Sequence, residues 1–209
     1  MLVLVHGALG DSRTGGGSWR GWAASSPSWP GTPPAAWGSD DPPATFRLAD
    51  FADCLAGFVA ALGIERPHVL GLPFGGGLAL ELYRRHPGLP PEQWIRGYLP
   101  WLFSESAPPE LLEEAAAIMV DVRPAGMRAM TRSFADADRR DVLPGVWVPT
   151  LLLYGDADRR SPLGTVAAEL HRMVPGSRLR IMPGVGHAAN MEAPERFNDE
   201  VRAFLRSVP

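Results

Sequence analysis

The sequence predicts an α/β chain: a mostly parallel sheet, incomplete, with helices on both faces. Three observations carry that expectation. Short apolar runs at 2–5, 68–71 and 150–154 have the pattern of strands buried on both faces, and 178–182 adds a fourth strand. Between these runs, apolar residues recur at helical spacing. The order is strand, helix, strand, helix, which a parallel sheet requires because parallel neighbours need crossover connections.

Taken in order, Leu2-Val3-Leu4-Val5 runs into His6-Gly7. Over 47–62, Leu48, Phe51, Leu55, Phe58, Val59 and Leu62 form one helical stripe, and Gly63 closes that helix. The strand at 68–71 leads into a helix over 75–86 that Pro87-Gly88 ends. From 89 to 146 the pattern is helical and amphipathic, broken at Pro90, Pro91, Pro100, Pro108, Pro109 and Pro124. A helix at about 162–174 separates the last two strands, and a final helix covers about 194–206. There is no internal repeat, and the 209 residues read as one domain.

Composition narrows the partners. Apolar content of 45% and charged content of 21% are those of a globular chain. A net charge of -3, with no basic patch beyond Arg84-Arg85 and Arg159-Arg160, favours neither nucleic acid nor an anionic membrane. The single cysteine, Cys54, excludes an internal disulfide and offers no metal-ligand spacing; it lies on the apolar side of its helix, where a core position is expected. Met1 leads straight into a strand without a charged, apolar leader, and no run approaches the roughly 20 apolar residues of a membrane helix. The expectation is a soluble cytoplasmic protein whose partner is a small molecule. Its oligomeric state is open.

Residues 12–39 break the pattern. They contain only Ser, Arg, Thr, Gly, Trp, Ala and Pro, with no Leu, Ile, Val, Phe or Met to build a strand, yet hold four of the seven tryptophans. A Gly/Pro/Ser linker accounts for the glycines and prolines but not for Trp19, Trp22, Trp29 and Trp37. A shifted reading frame accounts for both. All 20 basic residues of the chain are arginine, which points to a GC-rich gene, and every residue type in the stretch has a codon with G or C at its second base. Read one place out of register, 17–36 can encode Gln-Leu-Ala-Gly-Leu-Gly-Gly-Glu-Phe-Thr-Val-Val-Ala-Trp-Asp-Ala-Pro-Gly-Cys: a helix tail, a buried strand and a glycine turn. The nucleotide sequence decides between the two.

Three further segments bear chemistry. The first is Leu4-Val5-His6-Gly7-Ala8-Leu9-Gly10 after the first strand. The second is Gly71-Leu72-Pro73-Phe74-Gly75-Gly76, between a strand and a helix, which matches the pattern G-x-S-x-G everywhere but at its centre. The third is Gly155-Asp156-Ala157-Asp158 at a strand end, followed by Pro183-Gly184-Val185-Gly186-His187. In this order, over residues 2–205, the segments resemble the α/β-hydrolase fold family of serine-hydrolase type. The resemblance implies that Ala8 and Phe74 supply the oxyanion-hole N–H groups, Asp158 the acid and His187 the base, with Asp156 as the competing acid. It implies no cofactor and no metal, and it makes 89–146 a helical cap over an apolar pocket, with Trp94, Trp101, Phe103, Met119 and Met130 as lining or as packing.

The departures matter as much. Pro73 stands at the nucleophile position with no hydroxyl, thiol or carboxylate to attack a carbonyl. Its ring holds φ near about -65°, unlike the positive φ usual at the family's elbow. Family members usually carry two antiparallel strands ahead of the His-Gly strand. They also place another strand after the elbow helix, where Gly88-Leu89-Pro90-Pro91 here runs into helical sequence. Four recognisable strands are therefore expected, against about eight in the family, with two central strands lost. Each unpaired buried backbone group costs about 1–3 kcal/mol, enough in sum to threaten a stable native state. The implied ancestral activity is hydrolysis of an ester, amide or similar bond through an acyl-enzyme, lost in this chain. The alternatives are a pseudoenzyme that binds a small molecule without catalysis, and an untranslated gene remnant or assembly error.

Overall fold

The structure is a computed structural model. It describes residues 2–5, 28–31, 40–43, 45–65, 68–71, 99–121 and 140–208. The chain divides into two compact units, 1–98 with 113–137 and 99–112 with 138–209.

In the first unit β1 (Leu2–Val5) lies between β2 (Ser28–Gly31) and β3 (His68–Gly71), and both pairings are parallel. Leu2 stands opposite Ser28 and His68, and Val5 opposite Gly31 and Gly71. β2 corrects the expectation that 12–39 could supply no strand, and raises the described strands from four to five. A parallel ladder is made by backbone groups, so Ser-Trp-Pro-Gly can enter one without a run of β-branched or aliphatic side chains. Among the described strands β2 ends the order, a place where the missing N–H of Pro30 need not interrupt a ladder on both sides.

α1 (Leu48–Ala61) forms as its stripe predicts. Phe51, Leu55, Phe58, Val59 and Leu62 are half-buried and the intervening positions mostly exposed, the alternation of a 100° step. Arg47 N–H donates to Asp50 Oδ2 at 2.6 Å, which satisfies one of the donors left open at a helix start. At the other end Gly63 takes φ 66° and donates its N–H to the Ala60 carbonyl at 2.9 Å. Cys54 is exposed, contrary to its expected core position. It sits about 40° beyond the edge of the stripe that Phe51, Leu55 and Phe58 define, close enough in sequence to look apolar-facing but turned to solvent.

In the second unit β4 (Leu151–Gly155) pairs in parallel with β5 (Arg178–Met182), Leu151 opposite Arg178 and Gly155 opposite Met182. The crossover holds one wide helical turn at Leu163–Ala167 that continues into α3 (Ala168–Met173), counting α2 as Pro109–Val120. After β5 come the short α4 (Ala189–Glu192) and α5 (Pro194–Arg206). α5 starts on a proline, whose missing N–H costs nothing in the first turn. It buries Phe197 and Val201, one turn apart, each contributing about 1.5–3 kcal/mol. Arg178 ties its end to β5: Nη1 donates to Ser207 Oγ at 2.6 Å and the guanidinium lies 5.6 Å from the Phe204 ring centre.

Within 89–146 the described parts are helical: a tight turn at Leu99–Trp101, α2, and another turn at Leu143–Gly145. Phe103 and Met119 are buried and Trp101 is exposed. Trp94, Met130 and the helix expected over 75–86 lie outside the described residues.

Candidate functional site

Strand ends set up the site. β4 stops at Gly155, where a side chain has no room: a Cβ there would lie 1.9 Å from the Val185 carbonyl oxygen. That close approach lets the turn after β4 bond to the loop after β5. Asp156 N–H donates to the Met182 carbonyl at 3.2 Å and Ala157 N–H to the Val185 carbonyl at 3.0 Å. The Asp156 carboxylate accepts the Gly184 N–H at 2.6 Å, with Gly184 at φ 73°. Asp156, the competing candidate for the acid, is thus engaged in holding the loop.

Two residues on, Asp158 closes its own turn. Its Oδ1 accepts the N–H groups of Arg160 and Ser161, both at 2.8 Å. Its Oδ2 lies 2.7 Å from His187 Nδ1. Both side chains are buried, 3% and 5% exposed. Burial by itself would raise the Asp158 pKa, but the His187 hydrogen bond, the Ser161 N–H, the charge interaction with His187 and the Arg160 N–H together hold it below the usual carboxylate value. Asp158 is therefore an ionised acceptor at neutral pH. Neighbouring Tyr154 has its phenol pKa raised, first by burial and then by the Asp158 charge, so it stays a neutral phenol.

An ionised carboxylate on Nδ1 fixes the tautomer. Nδ1 carries the proton that Asp158 accepts, which in the neutral imidazole leaves the lone pair on Nε2. Nε2 is buried and, among the described residues, has no hydrogen-bond partner. A buried polar atom without a partner costs about 1–3 kcal/mol, and such atoms persist where chemistry uses them.

The loop that carries His187 is held by residues that no sequence motif marks. Glu192, on α4, accepts the Gly186 N–H at 2.9 Å and the Ser104 N–H at 3.1 Å on Oε2, and the Ser104 hydroxyl on Oε1. Ala188 N–H donates to the Leu102 carbonyl at 2.8 Å. Gly186 fits only without a side chain, since a Cβ would lie 2.6 Å from the Phe103 carbonyl carbon and from the Ser104 nitrogen. Spacing gives no clue to Glu192 or Ser104, because the contact joins positions 88 apart.

Of the sequence-predicted site residues, Asp158 and His187 are brought together. Ala8, Pro73 and Phe74 lie outside the described residues. The strands that precede them are described, and their register aligns the ends: Val5 of β1 stands opposite Gly71 of β3. Among the described residues no group of three His, Cys, Asp or Glu could hold a metal, and no helix is long and apolar enough to cross a membrane.

No family model matches the chain. Over 69 residues it is 44% identical to a Synechocystis protein provisionally assigned as a non-heme chloroperoxidase, a match spanning 33% of this chain and 25% of that protein. It is 24% identical to the AB hydrolase superfamily protein YisY of Bacillus subtilis over 208 residues, spanning 81% of this chain and 77% of YisY. The shorter, more identical matches cover only about a quarter of their proteins' length. Among solved structures, an esterase from Thermogutta terrifontis superposes with a TM-score of 0.87 at 24% identity, covering 99% of this chain and 89% of that one. A bromoperoxidase from Bacillus anthracis gives 0.86 at 17% identity, with 98% and 91% covered. The backbone architecture is that of the α/β-hydrolase fold, and the sequence matches include an AB hydrolase superfamily protein.

Proposed function

We propose that the chain derives from a hydrolase of ester, amide or similar carbon-centred bonds that worked through a Ser-Asp-His triad, and that in its present form it carries out no acyl-enzyme chemistry. In this reading Asp158 is the acid, His187 the base, and Ala8 and Phe74 the oxyanion-hole donors. Pro73 occupies the nucleophile position, and 89–146 is the cap of a small-molecule pocket within a single hydrolase domain. The observation that carries the proposal is the buried His187, bonded through Nδ1 to Asp158 and with no partner on Nε2 among the described residues. A serine hydroxyl is the group that a base of this kind takes a proton from, and Pro73 has none to give. The neighbours named as esterases and YisY's hydrolase name support the reaction class.

The test is covalent. A fluorophosphonate or an activated aryl ester captures a triad serine stoichiometrically, so the purified chain is expected to show an unchanged intact mass and no burst of released phenol. One adduct per chain would overturn the reading.

A further inference from the structure

Resting on the assignment of His187 as the base, we propose that Glu192 is a positioning residue that fixes the His187 imidazole against Asp158 by clamping the backbone on both sides of the loop. One carboxylate joins three donors: the N–H of Gly186, the residue immediately before His187, and the N–H and hydroxyl of Ser104. Gly186 and the Phe103–Ser104 backbone approach so closely that a single Cβ would not fit between them. The residue immediately after His187 is anchored to the same segment, through the Ala188 N–H and the Leu102 carbonyl. His187 is thus bracketed at both peptide neighbours by bonds to 102–104, and Glu192 makes the only charged contribution to that bracket among the described residues. Hydrogen bonds to a carboxylate are roughly twice as strong as neutral ones, and a side chain set between two fixed peptides loses its freedom to swing. Nothing in this arrangement touches a reacting atom. Its effect is to hold Nδ1 on Asp158 and thereby hold Nε2 in one direction.

The chemistry of the clamp makes the test specific. Glutamine can place its carbonyl oxygen where Oε2 accepts two N–H groups and donate its amide to the Ser104 hydroxyl, so Glu192→Gln preserves all three contacts. Alanine preserves none, and aspartate keeps the charge but is one methylene too short to reach both peptides. In the ¹⁵N-labelled full chain, the Nδ1 proton of His187 and the Gly186 and Ser104 amides are followed by NMR. Glu192→Ala and Glu192→Asp are expected to speed exchange of all three protons by about tenfold or more, and Glu192→Gln to stay within about threefold of the parent. The far-ultraviolet circular dichroism of Glu192→Asp reports whether the fold is kept, and that variant is the deciding one if Glu192→Ala does not fold. A folded Glu192→Asp chain whose His187 proton exchanges as in the parent would overturn the clamp. A parent chain with protected Gly186 and Ser104 amides but no Nδ1 proton signal would instead overturn the His187–Asp158 assignment on which the clamp rests.

Discussion

Replacing Gly155 by alanine is expected to destabilise the unit that carries Asp158 and His187 by about 3 kcal/mol or more. The added Cβ would sit 1.9 Å from the Val185 carbonyl oxygen, 2.5 Å from its carbon and 2.7 Å from the Gly186 oxygen. All three are backbone atoms of the loop leading to His187, so no side chain can rotate away to make room. Relief requires the loop to lift from the end of β4, which breaks the Ala157 N–H to Val185 bond and carries His187 off Asp158. Gly164→Ala is the control in the same unit: nothing lies within 4 Å of its added Cβ and its φ is not positive. Urea unfolding should show a large fall in midpoint for Gly155→Ala and a change within about 0.5 kcal/mol for Gly164→Ala. Equal midpoints would mean that the loop is not seated against β4 as described.

The second large effect is expected at Asp158. Asp158→Ala strips the acceptor from His187 Nδ1 and from the N–H groups of Arg160 and Ser161. With the imidazole buried and these donors left open, the loss is about 3 kcal/mol. Its pH dependence follows from the lowered Asp158 pKa. A carboxyl whose folded pKa lies below its unfolded value of about 3.9 contributes stability fully above that value and loses it as the pH falls through the folded one. The gap between parent and variant should therefore shrink as the pH falls below about 4. A gap that widened over that acid range would contradict an ionised Asp158 in the folded chain.

Much of this architecture is legible in the sequence, for identifiable reasons. β1, β3 and β4 announce themselves as short continuous apolar runs, but the expected burial on both faces does not hold for β3, where Val69 is 55% exposed. α1 and α5 follow their stripes to within a residue or two. Asp158 and His187 stand 29 positions apart, yet each ends a recognisable strand-to-loop motif, and the structure places them 2.7 Å from each other.

What is not legible has no side-chain signature. β2 is held to β1 by backbone groups, and Ser-Trp-Pro-Gly carries no strand pattern. The four residues of β2 are nevertheless those over which the alternative reading frame can encode Val-Val-Ala-Trp, a sequence that does carry one. Glu192 lies on a helix of four residues, too short for any periodicity, and acts on peptide N–H groups rather than on a motif partner. Cys54 resembles a core residue in sequence because its place at the edge of a stripe is apolar by neighbourhood, yet it is exposed by angle.

One imidazole is central to all of this, and the nitrogen shifts of His187 test its state most directly. In the ¹⁵N-labelled chain, Nδ1 is expected to carry a directly bonded, slowly exchanging proton. A proton residing on Nε2 with none on Nδ1, or two equivalent nitrogens averaged by free exchange with water, would contradict the buried couple with Asp158 and with it the claim that a hydrolase base is still in place.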